Sequence, residues 1–146
     1  MTDIQQMIDT FEIQALSVDF TDSSMMRDWD RFASLFAEDG AWRMPHIDVV
    51  LASRVEIREG IERLREGMWE YFVQNVHPGT ISLDGDTASG RAFIEEFGRF
   101  RDGKCLLNYA VYHDRYVRTA DGWRFADRLY EIRYLDTNPL SGRPPS

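Results

Sequence analysis

Apolar residues at Ile4, Ile8, Phe11, Ala15 and Val18 recur in steps of four, three, four and three. That spacing lays one stripe along a helix. Continuing the steps reaches Asp22 and then Met25, so both are expected on the buried side. Ser23 and Ser24 suit helix ends better than interiors, and the helix is expected to break there. A short second helix follows, with Trp29, Phe32, Leu35 and Phe36 on one side and Asp39-Gly40 as its stop. Residues 41–45 and 47–51 read as two extended pieces pivoting at Pro45-His46. Ser53-x-x-Glu56 has the capping-box pattern, in which the serine oxygen accepts an early helical N–H and the glutamate reaches back. Behind it Ile57, Ile61, Leu64, Met68 and Phe72 form the stripe of a third helix, supported by a Glu59–Arg63 pair.

From about residue 76 the period changes to two. Turn signals at Asp84-Gly85-Asp86, Asp102-Gly103-Lys104 and Asp121-Gly122 separate runs rich in Phe, Tyr, Val, Ile and Leu. Four strands joined by tight hairpins make an antiparallel meander. Helices first and strands afterwards predict an α+β fold with the helices on one face of the sheet. Residues 1–136 read as one domain. Residues 137–146 hold three of the five prolines and read as a tail.

Composition narrows the function classes. The chain has 146 residues, enough for one core. Its 17 basic and 25 acidic residues give a net charge of −8, which argues against a nucleic-acid partner. Lys104 is the sole lysine. Cys105, the sole cysteine, allows no internal disulfide and no cysteine-based zinc motif, and reads as a strand core residue. No apolar run is long enough to span a membrane, and residues 1–7 lack the layout of a secretion signal. A cytoplasmic protein is the expectation. The chain has three histidines, His46, His77 and His113, so acid–base chemistry near neutral pH has few candidates.

Three segments resemble the NTF2-like superfamily, and within it the SnoaL-like branch that holds scytalone dehydratase, a hexachlorocyclohexane dehydrochlorinase and a bile-acid dehydratase. They are Asp28-Trp29-Asp30-Arg31-Phe32-Ala33-Ser34-Leu35-Phe36-Ala37-Glu38-Asp39-Gly40-Ala41-Trp42; His77 followed by Ile81-Ser82-Leu83-Asp84-Gly85-Asp86-Thr87-Ala88; and Tyr112 through Arg128, with Asp121-Gly122-Trp123-Arg124-Phe125. The resemblance implies a cone: a curved, mostly antiparallel sheet packed against three N-terminal helices and enclosing an apolar pocket. It also implies a catalytic histidine at the start of the first long strand, oriented by an aspartate near the end of the first helix. His77 fills the histidine's position. Met25 stands where the aspartate is expected, and Phe20 where a tyrosine often precedes it.

These positions set the candidate chemistry. His77 is the expected acid or base, against a purely hydrogen-bonded structural histidine before Pro78. Asp22 is the replacement partner that would fix its tautomer, against a simple helix cap. Asn108, Tyr112, Asp114 and Tyr116 share one strand face; Tyr109, Val111, His113 and Arg115 share the other. Either face can line the pocket, which makes His113, Tyr109 and Tyr112 candidates. Met25, Phe20, Trp42 and Arg133 complete the expected binding set, with a rim salt bridge to Glu131 or Asp136 as the alternative for Arg133. His46 reads as a loop residue. Glu95 and Glu96 alternate faces, so one points inward, either as a buried acid or paired with Arg91 or Arg115. Asp127 and Arg128 read as structural pairs. Histidine and carboxylate spacings fit no metal site, no glycine-rich phosphate loop occurs, and no cofactor is expected. The reading is a lyase, isomerase or cyclase acting on an apolar cyclic or polyketide-like molecule. A non-catalytic binding or accessory subunit is the alternative. A homodimer or homotrimer is implied by the resemblance.

Overall fold

The first helix, α1 (Ile4–Met25), starts at a reciprocal cap: Asp3 accepts the Gln6 N–H at 2.7 Å and Gln6 Oε1 accepts the Asp3 N–H at 3.3 Å. Residues 3–145 are described by a computed structural model. The face of α1 that packs inward carries Asp9, Ile13, Leu16, Ser17, Phe20, Ser23 and Ser24. It is not the stripe expected from periodicity: Ile4, Ile8, Phe11 and Val18 are exposed. The helix is apolar on two sides, and the polar members of the buried side hide it from a hydrophobicity count. Each of those polar groups has a partner. Asp9 accepts from Arg118 and Trp123, Ser17 from Arg128 and Ser24 from Arg65, while Ser23 donates to the Phe20 carbonyl.

Helix α2 (Trp29–Ser34) is capped by the Asp28 carboxylate and ends before Phe36, which opens β1 (Phe36–Met44). Asp39-Gly40 is therefore a strand irregularity, not a helix stop. The chain there runs so close to β6 that a Cβ on Gly40 would lie 2.9 Å from the Phe125 carbonyl oxygen. A single 3₁₀ turn, Pro45–Ile47, leads into β2 (Val49–Leu51), close to the predicted pivot. Helix α3 (Arg54–Met68) has Ser53 as its cap, with the Glu56 carboxylate reaching back to the Ala52 N–H at 2.7 Å. The i,i+4 pair that forms on it is Arg58–Glu62 in place of Glu59–Arg63.

Strands β3 (Trp69–Asp84), β4 (Thr87–Phe100), β5 (Cys105–Thr119) and β6 (Gly122–Asp136) form the meander. Gly85 and Gly103 adopt positive φ in the first two turns, where a side chain would be strained. Strand β3 begins well before residue 76 and takes Phe72 out of the third helix's stripe. The six-stranded sheet runs β2-β1-β6-β5-β4-β3, antiparallel throughout except for the parallel β1–β6 pair. It curls around the helices as an α+β cone. The aromatic core of Phe20, Phe32, Phe36, Trp42 and Phe125 joins helices to sheet. Residues 137–145 form no helix or strand, and the Leu140 carbonyl accepts from Arg99 at 3.1 Å. None of the described helices is long and apolar enough to cross a membrane.

Asp9 ties α1 to the rim of the sheet. Its carboxylate accepts two hydrogen bonds from Arg118, at 2.9 and 2.8 Å, and one from the Trp123 indole at 3.0 Å. These bonds hold its carboxyl well below the usual carboxylate range. A depressed folded pKa stabilises the fold above the unfolded carboxylate value of about 3.9 and ceases to do so as pH falls toward the folded value. Asp9→Asn is thus expected to lower the melting temperature at pH 7, with the deficit narrowing steadily below about pH 4. A deficit that is the same at pH 3 and pH 7 would remove the ion pair as its cause.

Candidate functional site

The sheet register assembles the site. Gln74 on β3 pairs with Glu96 on β4, and Glu96 pairs with Asn108 on β5. The three side chains therefore form one lateral row on the inner face of the cone. Tyr112 and Tyr130 form a pair on the same face across β5 and β6, beyond the Ala110–Ile132 pair. Gln74 Nε2 donates to Glu96 Oε2 at 2.9 Å, and the Tyr130 hydroxyl donates to Glu96 Oε1. Asn108 Nδ2 donates to the Tyr130 oxygen at 3.2 Å, and Thr21 on α1 donates to Gln74 Oε1 at 2.7 Å. Both carboxylate oxygens of Glu96 are thereby fixed.

This polar row forms part of the wall of a cavity of about 330 Å³. Its other walls are mainly apolar: Phe20, Phe32, Trp42, Met44, Ile61, Leu64, Phe72 and Leu106 among them. The rim is made by His46, Ile47, Met68, Trp69, Phe100 and Leu135. Trp42 Nε1 donates to the Tyr112 hydroxyl at 3.1 Å, which leaves the Tyr112 proton without an acceptor among the described residues. Burial pushes the Tyr112 and Tyr130 pKa values up, and for Tyr130 the Glu96 charge adds to it, so both hydroxyls stay protonated at neutral pH. His46 lays its ring against Tyr130, centroids 4.8 Å apart, and its partial burial lowers its pKa, which favours the neutral imidazole. Arg65 of α3 also lines the cavity and is buried, and burial brings its pKa down to about 10, still charged at pH 7.

Of the residues expected from sequence, Phe20, Trp42 and Tyr112 line this cavity. The others lie elsewhere. Strand alternation places Gln74 inside, so His77, an odd number of residues further with no bulge between, points outward. Its side chain is 69% exposed and lies 3.5 Å from Glu95. His113 is also on the outer face, 2.6 Å from Glu131, where it borders an open depression with Arg91 and Arg115. Asp22 follows the exposed stripe of α1 and pairs with Arg31 at 2.7 Å, not with a histidine. Tyr109 faces out against Tyr134, and Arg133 forms the expected rim bridge with Glu131. Met25 lies behind the wall, its sulfur accepting the Gln74 N–H at 3.3 Å.

Glu96 is the inward member of the Glu95-Glu96 pair, and neither Arg91 nor Arg115 pairs with it. Sequence reasoning missed Gln74, Arg65 and Tyr130, and set His46 aside as a loop residue. Arg65 follows Ile57 and Ile61 by a step of four, a signal that its charge concealed.

Comparison with known proteins fits this architecture. A hexachlorocyclohexane dehydrochlorinase of type 2 superimposes with a TM-score of 0.90 over 99% of both chains at 18% identity. The type 3 dehydrochlorinase of Novosphingobium barchaimii LL02 gives 0.86 over 99% of this chain and 100% of that one, at 21% identity. An NTF2-like protein with a cystatin-like fold from Novosphingobium aromaticivorans gives 0.73 over 91% and 92%, also at 21% identity. At such identities the likeness shows a shared fold. An uncharacterized protein of Mycobacterium tuberculosis is 24% identical over 131 residues, 88% of each chain. The model of the SnoaL-like domain matches residues 5–129, so nearly the whole cone is accounted for, and the chain belongs to the SnoaL-like family.

Proposed function

We propose that the protein is a lyase or isomerase that moves a proton within this cavity on a small, largely apolar molecule. One observation carries the reading: a carboxylate, Glu96, oriented by Tyr130 and Gln74 inside an otherwise apolar-walled cavity. Cavities of this size and lining suit a molecule of one or two rings. Glu96 accepts a proton from a carbon beside the substrate's oxygen-bearing carbon, and the Tyr112 O–H donates a hydrogen bond to that oxygen. The electron pair of the broken C–H bond becomes a double bond. In an elimination a leaving group then departs with its own pair; in an isomerisation Glu96 returns the proton to another carbon. His46, neutral and at the mouth, exchanges the proton with solvent. Similar folds include enzymes named as dehydrochlorinases, a name that denotes elimination.

The test is incubation in D₂O with a panel of one- and two-ring ketones and hydroxy acids, followed by mass spectrometry. Incorporation of solvent deuterium, or loss of water or hydrogen halide, is the expected outcome. Tight binding across the panel with neither event would leave a binding module instead.

We also propose that copies of the chain associate through the outer sheet face, where Phe93, Phe97, Tyr109 and Tyr134 are exposed. Light scattering at micromolar concentration is expected to give a homodimer or homotrimer; a monomer overturns this.

A further inference from the structure

We infer that the molecule bound in this cavity is a carboxylate, with its charge held by Arg65. This rests on the cavity being the ligand site proposed above, and adds the chemical class of the ligand. Two arginines belong to the buried set, Arg65 and Arg128. Arg128 has its own counter-ion, the equally buried Asp114, at 2.9 Å. The half-buried Arg118 likewise has Asp9 and Asp86. Arg65 has none: among the described residues no carboxylate comes within ion-pair distance of it. One of its N–H groups donates to Ser24 Oγ, and the guanidinium lies 4.0 Å from the Phe72 ring centroid and 5.4 Å from that of Trp29. A guanidinium offers five N–H donors in a fork that matches a carboxylate.

Glu96 and Glu66 act on Arg65 through space, but neither touches it. Arg27 and Glu66 pair with each other at 3.5 Å in exposed positions. Glu96 has both oxygens engaged by Tyr130 and Gln74. What faces the cavity on the α3 side is thus a buried cation without a contacting counter-ion, and an anionic ligand group would neutralise it. The ligand is then a ring-sized carboxylic acid, its carboxylate at Arg65.

The experiment is calorimetric titration of the full chain with 2-naphthoate and with its neutral isostere 2-naphthamide, repeated on Arg65→Met and Arg65→Lys. Naphthoate is expected to bind at least about tenfold more tightly than the amide to the unmodified protein. Arg65→Met is expected to abolish that preference, and Arg65→Lys to keep part of it. Equal affinity for the two probes overturns the anion subsite while leaving the cavity as a ligand site. Binding of neither probe at millimolar concentration overturns the cavity reading itself, and this inference with it. The comparison of probes on the unmodified chain decides the matter even if a variant fails to fold.

Discussion

Glu96→Gln is expected to lower kcat on a substrate of this cavity by about 10²- to 10⁴-fold, the range that one positioned proton-transfer group contributes. The substitution keeps the shape of the side chain and removes its capacity to take a proton. The Tyr130 hydroxyl can still donate to the remaining amide oxygen. The Gln74 amide then meets a donor where it met an acceptor, so a small loss of stability accompanies the change. Binding of 2-naphthoate separates the two effects: affinity stays within a few-fold of the unmodified protein if chemistry alone is lost. Tyr130→Phe is the companion variant. It removes one of the two bonds that orient the carboxylate, yet leaves the proton acceptor in place, and its loss in kcat should be the smaller. His77→Ala and His113→Ala should leave turnover unchanged, because their side chains lie on the far side of the sheet, against Glu95 and Glu131. Full turnover by Glu96→Gln, or its loss in His77→Ala, would overturn the placement of the chemistry on the inner face.

The inner face was only partly legible in the sequence. Turn signals with glycine and the Ser53 cap located the hairpins and α3, because those features depend on local backbone geometry. The inward face of α1 did not stand out. Its polar members, Asp9, Ser17, Ser23 and Ser24, become acceptable in the interior only through partners as much as 114 residues away in sequence, as the Asp9–Trp123 bond shows. His77 was misplaced for a related reason. Its side depends on which residue of β3 first faces inward, and that is fixed by pairing with β4, not by the local alternation of Asn75-Val76-His77-Pro78. The Glu95-Glu96 pair was more informative, since adjacent carboxylates on a strand must take opposite faces. What the sequence lacked was the lateral row that joins Gln74, Glu96 and Asn108, a property of register between three strands.

Asp114→Ala is expected to destabilise the fold by about 3–5 kcal/mol, the usual effect of leaving a buried charge without its counter-ion. Arg128 and Asp114 are both fully buried as side chains, joined by two hydrogen bonds at 2.9 and 3.1 Å. Asp114 also accepts from Tyr116 at 3.0 Å, and Arg128 donates to Ser17 at 3.1 Å. The Arg128 guanidinium lies between 3.9 and 4.4 Å from the ring centroids of Tyr112, Phe125 and Phe20. Phe20 and Tyr112 are cavity walls, so this pair backs the ligand site without touching it. Against a typical stability of about 5–15 kcal/mol, the loss is large enough to unfold a marginal chain. Urea denaturation at pH 7 gives the free energy, and the melting temperature should fall by roughly 10 °C. The double variant Asp114→Leu with Arg128→Met separates charge from packing. Removing both charges together should cost much less than Asp114→Ala alone, since no unpaired ion remains and the volume is kept. If the double variant is instead as unstable as the sum of the two single changes, the pair acts through packing against the aromatic rings and not through its charges.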